Sequence, residues 1–543
     1  MRKKGIKFPI RILLISVLIF ILSVNLISSL VFAQINNFDE GPTFPLSNLL
    51  DKVGQSDNKI SYQLSQMLIE PNNDEIMITL DVEGNYTSFS RILEQNGFRT
   101  HRFYQNRVQG LINPDDIEII ASFSFIKSIQ KPAQPVFFAI ESQGVGVLKA
   151  DIAHGIDQTG NGAKVAIIDG GFDLSNIEIS ANIIESLSFR YDGKIEGDNS
   201  DHGTACAEIV IDVAPDAGLY LYTIQTNLDF ISAVNYAISV GVDIISISVG
   251  FYNLGPYDGT SYVSEILENA RNAGVLPIVA VGNDAERHWK GTFQDPDSNG
   301  WLNFDGSDET NDFLLINGNT VRIFLSWNDW WYSDQDYDLR LYKESEDSLD
   351  LVAISSNRQD GCCVYPTEAI SFTASSTDYY HIVIYNYSAN NIADFELFIT
   401  RGSLLEYIVQ SGSISNVADA KGAIAVGALR WSTNSLEDFS SRGPTVDGRI
   451  KPDISAPDGV QTTAYASSFF GTSAAAPHIA GIAALLVGSN PTITANGLAS
   501  MLEMTAVDMG DAGKDNMYGA GRAETKYSTL DVSPRIVSIL VDE

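Results

Sequence analysis

A chain of 543 residues with 44% hydrophobic and 19% charged residues can bury several cores, and its charged fraction is too low for a disordered acidic protein. Its 34 Lys and Arg against 68 Asp and Glu give a formal net charge of −34, which repels phosphates and argues against a nucleic-acid or anionic-membrane partner. Three cysteines, Cys206, Cys362 and Cys363, exclude a disulfide scaffold and leave at least one thiol unpaired within the chain.

The start of the chain sets five basic residues ahead of an apolar run that ends in "VFA", the pattern of a secretory signal cleaved after Ala33. The run from Ile12 to Ala33 covers 22 residues, enough to span a bilayer, so an uncleaved surface anchor is the alternative. No other membrane contact is expected. Residues from about 34 to 70 form a polar leader without a clear period. From Ile76 the stretches "IMITLDV", "SFSRILEQNG", "FRTHRFY", "VQGLI", "PDDIEIIASF" and "IKSIQ" read as β-α-β-β-α-β, a small open sandwich.

Between Gly162 and Ala280 continuous apolar strands ("AKVAIID", "GLYLYTI", "VDIISISVG", "VLPIVAVGN") alternate with helical stretches, the pattern of a parallel sheet covered on both faces in an α/β domain. From about 288 to 402 the period becomes two, in "VRIFLSW", "YDLRLY", "YYHIVIYNY" and "DFELFIT", as in a β-sandwich. The α/β pattern returns at "KGAIAVGAL", so the sandwich is read as an insertion.

Functional residues of open α/β sheets gather beyond the carboxyl ends of the strands. Asp169 ends "AKVAIID", His202 opens a helix in "DHGTACAEI", and Ser473 opens the apolar helix of "GTSAAAPHIAGIAALL". A serine hydroxyl becomes a nucleophile when an imidazole takes its proton and a buried carboxylate orients that imidazole. The backbone N–H of Ser473 would face a developing oxyanion, with a second donor at Asn283 of "VAVGN".

These motifs, with "FSSRGPTVDGRIKPDISAPDG" at 439–459, resemble the subtilisin-family serine endopeptidases, or subtilases, over about residues 140–287 and 403–525. The order Asp, His, Ser is theirs too. The resemblance implies a three-layer parallel α/β catalytic domain and a triad of Asp169, His202 and Ser473. It also implies Asn283 as oxyanion donor and Ser248, Val249 and Gly250 as the cleft strand along which a peptide adds. The β-α-β-β-α-β unit is similar to the ferredoxin-like propeptide that inhibits such enzymes, cut away between about 131 and 145. The expected division is a signal at 1–33, leader and propeptide at 34–135, catalytic segments at 136–287 and 403–530, an inserted sandwich at 288–402 and a tail at 531–543. Departures include Gly170, Ala205, Glu208, Ala474 and Ala476, none of which removes a catalytic atom, and a shortened cleft edge before "DFISAVNYAI".

The expected function is therefore a secreted endopeptidase, acting on protein or peptide substrates, inhibited by its own propeptide and needing no cofactor. The other class considered is a catalytically silent binding protein acting through the sandwich. Cys206, one helical turn past His202, resembles the free thiol of proteinase-K-like members and reads first as a small buried hydrophobe. "DPDSNG" sets Asp295, Asp297 and Asn299 at alternate positions but places Gly306 where an EF-hand needs a Glu. That loop and the Asp334, Asp336, Asp338 series read as solvated turns, with structural Ca2+ as the ligand if either binds one. His478, five residues past Ser473, reads as packing, and Asn85 and Asn386 as glycosylation acceptors in a host that glycosylates.

Overall fold

The computed structural model describes residues 59–61, 64, 75–133, 136–137, 143–197, 199–345, 348–361, 364–465 and 467–525. The expected signal segment, Cys362, Cys363 and the residues from 526 lie outside the described residues.

The first unit is β1 (Ile76–Val82), α1 (Ser90–Gln95), β2 (Arg99–Tyr104), β3 (Arg107–Ile112), α2 (Ile117–Ala121) and β4 (Ile126–Gln130). Its antiparallel sheet has the order β2-β3-β1-β4, with the two central strands separated in sequence by a helix and a strand. Leu80, Leu93, Phe98, Ile117, Ile120 and Ile129 fill the core under the helices. Next, β5 (Val136–Phe137) leads to the short helices α3 (Val145–Leu148) and α4 (Ala150–His154).

Seven parallel strands make the main sheet, in the order β21-β20-β11-β9-β6-β8-β7. They are β6 (Lys164–Asp169), β7 (Ile183–Ser188), β8 (Gly218–Thr223), β9 (Ile244–Ile247), β11 (Leu276–Ala280), β20 (Ile424–Arg430) and β21 (Ile454–Asp458). Runs such as "IISI" and "LPIVA" are buried at every position, because helices cover both faces. One face packs on α5 (Ser200–Val213) and α8 (Thr472–Ser489), the other on α6 (Asn227–Val240) and α7 (Tyr262–Asn272). The helix α8 is apolar around its whole circumference because it is buried in the centre of its layer, while α9 (Ala495–Met504) packs outside it. This is the three-layer α/β architecture that the sequence pattern predicts.

Between β11 and β20 stand two four-stranded antiparallel sheets. One contains β12 (His288–Thr292), β14 (Thr320–Trp327), β17 (Thr367–Thr373) and β19 (Asp394–Ile399), in the order β12-β19-β14-β17. The other has the order β13-β18-β15-β16, from β13 (Asn311–Leu315), β15 (Asp336–Glu344), β16 (Leu349–Ser355) and β18 (Asp378–Ser388). Alternate inward residues, among them Trp327, Tyr337, Leu339, Ile382 and Phe395, make their shared core. The sandwich sits on the α/β body through Phe398 and Phe324 against Tyr252 and Tyr257, with ring centroids 4.9–5.3 Å apart. Burying an aromatic of this size contributes about 1.5–3 kcal/mol, so the docking is firm. Tyr252 follows β10 (Val249–Gly250) by two residues, so the sandwich stands beside that strand.

Candidate active site

Asp169 is the last residue of β6 and fully buried. Its Oδ1 and Oδ2 lie 2.9 and 2.8 Å from His202 Nδ1, and Gly170 N–H donates to Oδ1 at 2.7 Å. A carboxylate can only accept, so Nδ1 carries a proton and donates it to Asp169. The approach depends on Gly203: a Cβ there would stand 2.2 Å from the Gly171 carbonyl and 3.0 Å from Asp169 Cβ. Only a residue without one lets α5 press His202 against the end of β6. The His202 ring also meets the edge of Phe469, with centroids 5.4 Å apart.

Ser473 lies in the first turn of α8, where helix N–H groups lack intrahelical partners. Its hydroxyl donates to Ser248 O at 3.4 Å, while Ser248 Oγ donates back to Ser473 O at 2.9 Å. The Ser473 carbonyl also receives the Cys206 thiol at 3.5 Å. Asn283 enters from the loop after β11. Its Oδ1 accepts Thr472 N–H at 2.9 Å and Thr472 Oγ1 at 3.1 Å, which fixes the amide orientation and leaves Nδ2 without an acceptor among the described residues. Thr472 Oγ1 in turn accepts Gly282 N–H at 3.2 Å.

Two polar groups that the sequence reading did not single out as site residues support this arrangement. Asp458, at the end of β21, accepts Gly471 N–H at 2.8 Å; Gly471 has φ +128°, and a Cβ there would crowd Asn283 Nδ2 at 3.1 Å. Burial, and then neighbouring Glu437, push the Asp458 carboxyl up to about 8. Glu208, one of the departures noted above, is fully buried on α5. It accepts Thr463 N–H at 2.8 Å, Ala464 N–H at 3.3 Å and Asn176 Nδ2 at 2.6 Å, together with the Thr463 hydroxyl. It anchors the loop that leads to Phe469.

Cys206 is buried, and burial and the nearby Asp169 charge push its thiol well up. Its sulfur and donor atoms of Asp169 and His202 lie within 4.8 Å of one another. His478 is buried too; its Nδ1–H donates to Ala474 O at 2.8 Å, and burial pulls the imidazole down to about 4, so it stays neutral in the packing. The Asp295 loop closes on itself. Asp295 accepts Asn299 N–H at 3.1 Å and Gly300 N–H at 2.9 Å, and Asn299 Nδ2 donates to Asp297 at 2.9 Å and to Glu309 at 2.6 Å. In the other acidic series Asp338 pairs with Arg340 at 2.8 Å, and burial and the Asp338 charge push Asp336 up to about 7.

Beside Ser248, β10 carries one antiparallel partner, β5, in the register Val249↔Phe137 and Gly250↔Val136. The link from β8 to α6 is only Ile224–Thr226, and Asn227 N–H donates to Ala133 O at 3.3 Å. The sheet of the first unit rests on the N-terminus of α6: Gln109 Nε2 donates to Asn227 Oδ1 at 2.9 Å, Thr226 Oγ1 donates to Gln109 Oε1 at 2.7 Å, and His101 Nε2 donates to Asp229 at 2.8 Å.

Residues 160–521 match the Subtilase family. The chain is 26% identical over 438 residues to "Minor extracellular protease Vpr" of Bacillus subtilis (strain 168), covering 69% of this chain and 52% of that protein. It is 29% identical over 160 residues to Subtilisin E of the same organism, covering 26% of this chain and 39% of that protein. It therefore spans about half of the first relative's length and less of the second. The structure of the Clostridium Perfringens CspB protease shares the fold with a TM-score of 0.53 at 17% identity, over 73% of this chain and 100% of that one. A parallel sheet with Asp169, His202, Asn283 and Ser473 at its carboxyl edge, and a family match across two-thirds of the sequence, lead to one conclusion: this chain belongs to the subtilase family.

Proposed function

We propose that the chain is a secreted serine endopeptidase made as a self-inhibited precursor. The observation that carries this reading is the Asp169–His202 pair, with both carboxylate oxygens within 2.9 Å of Nδ1, beside a helix N-terminus bearing Ser473. Rotation about the Ser473 Cα–Cβ bond takes the hydroxyl from Ser248 O toward His202 Nε2. The imidazole accepts its proton as Oγ attacks the scissile carbonyl, and Asp169 stabilises the imidazolium. The oxyanion is met by Asn283 Nδ2 and Ser473 N–H. One such donor is worth roughly two to three orders of magnitude in turnover, the size of the effect known for the equivalent donor of a subtilisin. Collapse transfers the proton to the leaving amine and leaves an acyl-Ser473, and water, deprotonated by His202, then releases the carboxylate.

Substrate adds along Ser248, Val249 and Gly250 as an extended strand. Val136 and Phe137 fill that place in the precursor, which supports inhibition by the propeptide and self-cleavage beyond Phe137. Secretion is supported by the basic-then-apolar start and by the name of the Vpr relative. No cofactor enters the reaction, and Ca2+ at Asp295, Asp297 and Asn299 would be structural.

Intact mass of the secreted chain, wild type beside Ser473→Ala, with and without a fluorophosphonate, tests the proposal. The wild type is expected to shorten near residue 140 and to gain one adduct, and Ser473→Ala to do neither. Two full-length, unreactive chains would overturn it in favour of a silent binding protein acting through the sandwich.

A further inference from the structure

Lys131 and Arg322 line one cavity of about 530 Å³ where three parts of the molecule meet. The propeptide contributes Arg107 and the strap Lys131–Ala133, the α/β body contributes Asn227 and Tyr262, and the sandwich contributes Arg322 and Ser371. Arg107 is fully engaged: it pairs with Asp81 at 2.7 Å, donates to Tyr365 Oη at 3.1 Å and lies 4.6 Å from the centre of the Tyr262 ring. Exposed Lys131 and half-buried Arg322 differ. Among the described residues neither side chain has an ion pair or a hydrogen bond. Burial and Arg322 pull the Lys131 ammonium down, and burial and Arg401 pull the Arg322 guanidinium down.

A chain with twice as many acids as bases thus leaves two uncompensated cations in one cavity. Two like charges lining one cavity weaken whatever holds the two segments together. The place matters as well. Two residues separate the strap from β5, which pairs with the cleft strand β10, so the cavity belongs to the upstream side of the cleft. Its outer wall is the sandwich face of β14 and β17, where Arg322 pairs in register with Ser371.

We propose that the inserted sandwich carries a specificity subsite of the cleft, in which Arg322 receives an acidic side chain of a peptide substrate at the place Lys131 fills in the propeptide. This rests on the endopeptidase reading. It gives the sandwich a task in substrate choice and makes the propeptide a deliberately mismatched occupant, held by Arg107 and β5 and disfavoured at Lys131.

The test uses enzyme matured from the full chain and internally quenched peptides of the sequence 127–143, with Lys or Glu at position 131, beside a shorter peptide that begins at 134. For the wild type the Glu peptide is expected to show a KM about tenfold below that of the Lys peptide, with the difference shrinking in about 1 M NaCl. Arg322→Gln abolishes the difference and Arg322→Glu reverses it, while the Tm of each of the three enzymes reports that it folds and the short peptide, which begins after position 131, shows no such dependence on residue 131. Equal KM values for the two long peptides in the wild type, or a preference that survives Arg322→Gln, overturn the subsite.

A second readout needs no hydrolysis. In the full-length Ser473→Ala chain, Lys131→Glu raises Tm by about 2 °C through pairing with Arg322, and the gain vanishes with Arg322→Gln. This gain, found together with a Ser473 chain that cleaves none of the peptides, keeps the subsite and removes the endopeptidase reading. No gain in the presence of Arg322 removes the subsite alone.

Discussion

The carboxylate of Asp458 accepts the backbone N–H of Gly471 at 2.8 Å, so the end of a central-sheet strand holds the residue two positions ahead of Ser473. Burial and Glu437 raise this carboxyl to about 8, which means that the folded chain keeps a proton there that the unfolded chain sheds near pH 4. The folded state binds more protons between those two values, so stability from this group is complete below about pH 4 and is lost as pH rises toward about 8. In a Ser473→Ala background, which removes the proposed nucleophile and so autolysis, Tm is expected to decline from about pH 4 to about pH 8 and to level off above it. Asp458→Asn keeps an acceptor for Gly471 and should flatten that decline. Parallel Tm–pH curves for the two chains would remove the raised Asp458 carboxyl as the cause.

The Asn283 amide uses Oδ1 to fix Thr472 and has no acceptor for Nδ2 among the described residues, which suits the oxyanion role proposed for it. Asn283→Ala is expected to lower kcat by roughly two to three orders of magnitude on a short peptide, with KM little changed. Steady-state kinetics separate the terms, and a change confined to KM would place Asn283 in ground-state binding.

Glu208 holds four donors, three of them from the loop on the way to Phe469. Glu208→Ala strands them, at a cost of about 1–3 kcal/mol for each group left unsatisfied and inaccessible to water. Because Phe469 borders His202, kcat/KM should fall together with Tm, and Glu208→Gln should recover only part of each. Calorimetry beside a peptide assay checks this, and an unchanged melting point would show that the loop does not need its anchor.

The Cys206 thiol is buried, donates to Ser473 O and is pushed well up from its ordinary value, so little thiolate exists at neutral pH. Iodoacetamide applied to the native chain should leave Cys206 unmodified, and the same reagent in denaturant should modify it. Peptide mapping reads both. Rapid alkylation of the native chain would show that the site opens far more than its packing implies.

Both carboxylate oxygens of Asp295 already accept backbone N–H groups of their own loop. Adding EDTA is therefore expected to shift Tm by less than about 1 °C, and a larger fall, reversed by Ca2+, would show that the loop exchanges those bonds for metal.

How much of this the sequence carries depends on how local each signal is. Asp169, His202 and Ser473 stand at a strand end and at two helix starts, each within a motif a few residues long, and the sheet assembles those ends without further instruction. The sandwich strands are equally plain, because one buried face imposes a period of two on segments such as "TVRIFLSW". The edge strand β7, with only half-buried or exposed residues and no such period, carries no comparable signal. Asp458 is hidden in a different way: its importance comes from Gly471, and only the packed chain shows that the carboxylate reaches that N–H. The Lys131–Arg322 cavity joins segments almost two hundred residues apart, and no window along the sequence contains it.

The pairing of β5 with β10 is only two residues long, and Val145 begins α3 eight residues beyond Phe137. Such a contact would not survive between separate molecules. On one chain the short tether holds the strand at a local concentration in the millimolar range, so a weak contact is permanently occupied. A single break in the tether changes the law that governs it: occupancy then depends on the concentration of the whole protein, and contacts such as those of Arg107, Gln109, His101 and the Ala133 carbonyl set how long the severed piece lingers. Dispersal into a large volume would by itself complete the release, with no further partner and no conformational signal.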